Sequence, residues 1–145
     1  MRFLHFDRVL AIEEGRRIEA VKCVSLADEY LAGRFPRRAL VPGTVWAEAM
    51  LQALGWLVIR ANDYSVTPFL SLMEDCVVPC DVGPGHLAVL EGTLLSTNRQ
   101  GSLGHARMTI EGREVGSIGR AVYAHAKAED PARLRAAFSA YERPA

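Results

Sequence analysis

One short stretch of this chain places a guanidinium and a carboxylate around a helix start. It reads Gly33-Arg34-Phe35-Pro36, then Pro42-Gly43-Thr44-Val45-Trp46-Ala47-Glu48. Glu48 falls about a turn inside a segment that is otherwise nearly all apolar, where an ionised group is costly unless it has a partner or a task. Arg34 can pair with an anion, but it stays protonated at any working pH and so cannot abstract a proton. The helix start at Gly43 offers free N–H groups and a positive dipole end to developing negative charge. The plainer reading of the same residues is a structural Arg–Glu pair beside a solvated loop.

The element that must hold Glu48 is predicted as a helix running from Pro42-Gly43-Thr44, with proline early and a hydroxyl near the cap, to Asn62-Asp63. Apolar residues cover almost every face of it, the mark of a buried helix. Thr44, Glu48 and Gln52 fall at i, i+4 and i+8, so the polar atoms share one stripe. Gly55 continues that stripe and is expected to let another backbone approach closely. The rest reads as strands: 3–13 and 17–25 joined by Glu14-Gly15-Arg16, then 69–78, 87–97, 103–111 and 114–127. A short helical turn is expected over 26–31, and Asp130-Pro131 opens an amphipathic helix carrying Leu134, Phe138 and Tyr141. One buried helix with a run of antiparallel strands predicts an α+β domain whose sheet wraps the helix.

The chain has 145 residues, half of them apolar, with 17 basic and 17 acidic side chains. That predicts one domain over 1–145, with 126–145 as a C-terminal extension holding a short helix. The neutral balance leaves no basic footprint for nucleic acid. Glu48, Gln52 and Arg60 interrupt the longest apolar run, so no membrane span is expected. His5, Asp7 and Arg8 break the opening residues too early for a secretory signal, and an odd set of cysteines (Cys23, Cys76, Cys80) fits a reducing cytoplasm. Cys76 and Cys80 lack a histidine pair to complete a metal set, and no cofactor is expected. His5, His86, His105 and His125 fall in or beside strands without a Ser or Cys spaced for a triad, and read as packing or surface residues.

The block from Gly33 to Glu48 resembles, position for position, the active-site segment of the 3-hydroxyacyl-acyl carrier protein dehydratases, which reads Gly-His-Phe-Pro … Pro-Gly … Glu or Asp. The opening Phe6-Asp7-Arg8-Val9-Leu10 and Val82-Gly83-Pro84-Gly85 before a strand extend the resemblance over most of the chain. It implies the hotdog fold and a dimer whose site takes a histidine base from one subunit and a carboxylate acid, here Glu48, from the other. It implies that N–H groups at Gly43 bind the thioester carbonyl and that the substrate is an acyl chain on the phosphopantetheine of an acyl carrier protein. Phe35, Thr44, Gln52 and Trp46 become substrate-binding candidates, Trp46 as a tunnel wall. Arg37 and Arg38, with Arg34, suit the acidic surface or phosphate of the carrier protein.

Arg34 stands where that family has its histidine. Beside a partner's Glu48, at about 4 Å and an effective dielectric near 20, the attraction is on the order of 4 kcal/mol before desolvation. Such pairing keeps Glu48 ionised, the wrong form for a general acid. The expectation is an acyl-thioester-binding member that is impaired alone, or one half of a heterodimeric dehydratase with a histidine-bearing relative, in fatty acid, polyene or polyketide synthesis. An active homodimer using another base, a non-catalytic acyl-binding module and a thioesterase remain open alternatives.

Overall fold

The structure, a computed structural model, describes residues 4–32 and 37–142. Strands β1 (Arg8–Glu13) and β2 (Arg17–Cys23) form the opening hairpin around Gly15, whose φ of 70° suits glycine. A 3-10 turn at Glu29–Leu31 follows, then α1 (Gly43–Ala61). Strands β3 (Val66–Val77), β4 (Leu87–Thr97), β5 (Gly101–Ile110) and β6 (Arg113–Lys127) complete the sheet, and α2 (Pro131–Glu142) closes the described chain. Among the described residues no helix is long and apolar enough to cross a membrane.

All pairings are antiparallel, in the order β1-β2-β4-β5-β6-β3. Alternation decides which face meets α1: Ile18 and Ala20 from β2, Ala88 and Leu90 from β4, and Ala106 and Met108 from β5 are buried. The in-out parity of β6 changes between Ile118 and Ala121. There Ala106 pairs with Ile118 and Gly104 with Ala121, so one extra β6 residue bulges and re-aims the strand.

Helix α1 packs against five strands, β2 through β6, so the sheet wraps it as the α+β reading requires. Leu54, Leu57 and Val58 on it are fully buried, each contributing roughly 1.5–3 kcal/mol by its removal from water. The close approach occurs on the sheet side, not at Gly55. A Cβ on Gly92 would lie 3.2 Å from Leu54 Cα, and one on Gly104 would lie 3.0 Å from Leu54 Cδ1. At Gly55 a Cβ would find ordinary room, 3.9 Å from the Pro68 and Tyr123 side chains. The expected backbone approach at Gly55 is therefore replaced by two sheet glycines beneath Leu54.

Candidate active site

The site is built around the first half of α1. The chain enters the helix through Val41, whose N–H donates to Val82 O at 2.9 Å. Pro42 is the cap residue, and no side chain caps the helix. Thr44 is exposed and does not serve as the expected hydroxyl cap; the Val45 N–H instead turns back to Pro42 O at 3.0 Å. A Cβ on Gly43 would sit 2.7 Å from Val78 Cγ2. Glycine is what allows the helix start to press against the end of β3, leaving its first N–H groups without intrahelical partners.

Glu48 is exposed in the single chain, contrary to the sheltered setting its apolar neighbours suggest. The helix buries its apolar faces on the sheet and turns the Glu48 stripe outward. Gln52, one turn on, donates from Nε2 to Glu48 Oε1 at 2.9 Å, and its Oε1 accepts the His5 N–H at 2.7 Å. The amide thus fixes the carboxylate to the N-terminal segment. The His5 ring meets Tyr30 edge-on, with centroids 6.1 Å apart.

An apolar cavity of about 580 Å³ is lined on α1 by Glu48, Gln52, Gly55, Trp56 and Ile59. Thr67, Pro68 and Leu70 of β3, Tyr123 of β6, and Leu134 and Phe138 of α2 line it as well, with Phe138 stacked on Trp56. Tyr123 donates its hydroxyl to Leu51 O at 2.8 Å. Burial, and then the charge of Glu48, push its phenol pKa upward, so it stays protonated and cannot replace a base.

The loop after β2 is anchored by a buried lysine. Lys22 pairs with Asp7 and Asp28, each at 3.5 Å, and Tyr30 donates to Asp28 at 2.7 Å. Burial pushes the Asp28 carboxyl up, but hydrogen bonds from Tyr30 and the Ser25 N–H, with Lys22, hold it below its ordinary value. This cluster holds the stretch that leads into Gly33. Arg34 and Phe35 lie outside the described residues, so the expected pairing of Arg34 with Glu48 does too. Among the described residues no cation forms an ion pair with Glu48.

Arg37 and Arg38 are exposed. Gln52 lines the cavity beside Glu48. Trp46, expected as a tunnel wall, is instead 1% exposed in the core and does not line the cavity. Its position two residues before Glu48 turns it to the sheet side of α1. His5, read as a packing or surface residue, and Leu134 and Phe138, read only as one side of an amphipathic helix, lie at the site, as does Tyr123, which carried no reading. No local motif marks them, because each reaches the site through tertiary packing.

The structure also brings Ser102 against His125, Oγ to Nε2 at 2.9 Å, which spacing along the chain did not suggest. Ser102 continues to Thr97 at 2.7 Å, and Thr97 to Asn62 Nδ2 at 2.9 Å. This chain ties the end of α1 to the sheet, at the opposite end of the helix from Gly43. Cys23, Cys76 and Cys80 are free and exposed, and no group of His, Cys, Asp and Glu suited to a metal occurs among the described residues.

Comparisons with known proteins bear on the family and the fold. The model of the FabA-like domain family matches residues 1–69. The 3-hydroxyacyl-[acyl-carrier-protein] dehydratase FabZ of Herpetosiphon aurantiacus is 31% identical over 119 residues, covering 81% of this chain and 84% of that protein. Among solved structures, the dehydratase heterocomplex ApeI:P of Xenorhabdus doucetiae aligns with a TM-score of 0.64 at 17% identity, over 86% of this chain and 84% of that one. A thioesterase of Haemophilus influenzae aligns with a TM-score of 0.63 at 14% identity, over 84% of this chain and 79% of that one. The fold is the hotdog fold.

Proposed function

The chain belongs to the 3-hydroxyacyl-acyl carrier protein dehydratase (FabZ) family, and from that membership we propose that it binds acyl thioesters and supplies the carboxylate half of a dehydratase site completed by another subunit. The observation that carries this reading is Glu48, held by Gln52 at the mouth of an apolar cavity that runs along α1. Dehydration of a 3-hydroxyacyl thioester removes a proton from Cα and a hydroxyl from Cβ. Protonated Glu48 gives its proton to the leaving hydroxyl, and a base from the partner takes the Cα proton. The N–H groups at Gly43 receive the charge that builds on the thioester oxygen. Arg34 occupies the sequence position of the family's base and cannot serve as one.

The outer strand β3 supports a partner. It is an edge of the sheet with Phe69, Leu70, Leu72, Met73 and Val77 all exposed, Phe69 at 57% and Val77 at 60%. A long apolar edge is a template for pairing with another chain. The favoured partner is a histidine-bearing relative, giving one complete and one base-less site. The acyl chain arrives on an acyl carrier protein in the cytoplasm, with Arg37 and Arg38 facing its acidic surface. The test is turnover of 3-hydroxyacyl carrier protein by the chain alone and mixed with such a relative. Formation of 2-enoyl product only in the mixture, lost with Glu48→Gln, supports the reading. Equal rates in both samples overturn it.

One observation favours a second reading, an active homodimer with another base. The hydrogen bond from His5 N to Gln52 brings an imidazole-bearing residue to the same amide that holds Glu48. Rapid turnover by the chain alone, abolished by His5→Gln, is the outcome it requires.

A further inference from the structure

We propose that α2 is the end wall of the acyl cavity, and that Leu134 and Phe138 on it limit the chain to medium length. This deepens the acyl-thioester reading and rests on it. The family segment ends its work at Glu48 and the helix start; α2 lies beyond it in sequence, yet two of its side chains line the same cavity.

The wall is fixed at several points. Phe138 is 1% exposed and stacks on Trp56 with centroids 3.5 Å apart and planes 18° from parallel. Tyr64 packs edge-on to Phe138 at 5.3 Å. Trp56 Nε1 donates to Glu142 Oε1 at 2.9 Å, and Arg60 pairs with the other oxygen of that carboxylate. Arg135 pairs with Asp63 at 2.6 Å and lies 4.6 Å above the Tyr64 ring. Asp130 Oδ1 accepts the Arg133 N–H at 2.9 Å, capping the helix start. A helix stacked on an aromatic of α1 and tied by charged pairs behaves as a wall rather than a flap.

The length it allows follows from the helix. Glu48 marks the reacting carbons, and Trp56, on which Phe138 stacks, lies eight residues further, about 12 Å along the axis. An extended hydrocarbon built from C–C bonds of about 1.5 Å fills that distance with roughly ten carbons. Longer chains meet Leu134 and Phe138 edge-on. Leu134 is only half-buried, so its size can change without removing the stack that holds α2.

The test measures binding of butyryl-, decanoyl- and palmitoyl-pantetheine to the full chain in its purified assembly, for the wild type and for Leu134→Ala, Leu134→Trp and Phe138→Ala. Wild-type protein is expected to prefer decanoyl. Leu134→Ala is expected to tighten palmitoyl binding about tenfold relative to decanoyl, and Leu134→Trp to weaken decanoyl about tenfold relative to butyryl. Phe138→Ala extends the accepted chain if it folds; the Leu134 pair carries the test if it does not. If both Leu134 variants keep the wild-type order of lengths, the end-wall assignment is overturned while thioester binding stands. If no thioester of any length binds the wild type, the acyl-binding reading itself falls, and this assignment with it.

Discussion

Gln52 Nε2 donates to Glu48 Oε1 at 2.9 Å from one turn further along α1, while the same amide accepts the His5 N–H at 2.7 Å. The carboxylate's direction is therefore set by a residue that is itself fixed from outside the helix. A solvent-exposed hydrogen bond of this kind adds little to stability, but a misaimed proton donor loses rate steeply. If Glu48 is the acid of the proposed composite site, Gln52→Leu is expected to lower kcat/KM of the mixed assembly roughly tenfold or more, with its melting temperature nearly unchanged. Steady-state assay and a thermal melt on the same sample check both halves. Unchanged activity would show that Glu48 is aimed by something else.

How far the sequence reveals the site depends on the kind of signal each residue leaves. The Gly43-to-Glu48 spacing and the polar stripe through Gln52 are local, and helical geometry carries them directly into space. The strands and the amphipathic α2 were legible from alternation and from Asp130-Pro131 for the same reason. Exposure was not legible. Apolar neighbours surround Glu48 in sequence, but the helix seats them on the sheet and leaves Glu48 outward. Trp46 follows the same rule in reverse, going inward to the core. The contact of Phe138 with Trp56, like that of Ser102 with His125, joins distant segments, and no spacing announces it. Gly55 was legible as a member of the stripe but not in its role, because glycines of β4 and β5 make the close approach.

Gly43 has a steric role that predicts a stability cost. An added Cβ would lie 2.7 Å from Val78 Cγ2, and valine is stiff at χ1, so the helix start or the end of β3 must move. Gly43→Ala is expected to cost about 1–3 kcal/mol and to shift the N–H groups proposed to receive the thioester oxygen. Denaturant unfolding measures the first effect. A fall in kcat/KM larger than the stability loss explains measures the second. An unperturbed, fully active Gly43→Ala protein would remove the glycine from the argument.

Acid should destabilise the fold in two steps. Burial lowers the His125 pKa, with the Asn98 carbonyl opposing. The native state then binds protons less readily than the unfolded chain, so His125's contribution is complete above the usual value near 6.5 and is lost as pH falls through the lowered one. Burial pushes the Glu91 carboxyl up, but Arg17, and Arg107 at 2.8 Å, outweigh it and hold the group below its ordinary range. Its contribution is present above the usual carboxylate value, about 4.3, and is lost as pH falls through the folded one. The melting temperature should be flat above about pH 7, decline mildly below it and decline again near pH 4. His125→Gln should remove the upper step, and Glu91→Gln should blunt the lower one. Melts across that range with either step unmoved in its variant would contradict the assignment.

Arg34→His tests whether the base is the main lesion. Glu48, Gly43 and the cavity are already in place, so the substitution is expected to give the chain alone measurable dehydration. Recovery should stay incomplete. Small misplacements of the new imidazole cost about 10²-fold. Adding Glu48→Gln to the same protein should return it to background. Product formation that survives the double substitution would mean that the chemistry runs through neither residue.

The apolar edge at β3 leads to a prediction about assembly that needs no substrate. Phe69 is 57% exposed on an outermost strand, whereas Leu26, 76% exposed, follows β2 near the opposite edge of the sheet. A strand added beside β3 would satisfy its free backbone groups and cover Phe69, Leu70, Leu72, Met73 and Val77 together. A lysine placed in that seam would have to be buried without a partner, at a cost of several kcal/mol. If the proposed second subunit docks on this edge, Phe69→Lys and Val77→Lys are each expected to shift the chain from dimer toward monomer at micromolar concentration, while Leu26→Lys does not. Sedimentation velocity over a dilution series distinguishes the species. If the proposed composite site takes its base across that edge, the β3 variants should also lose dehydration in the presence of a histidine-bearing relative. If both β3 lysine variants remain dimeric, the second subunit docks elsewhere and the composite site must be rebuilt from another face.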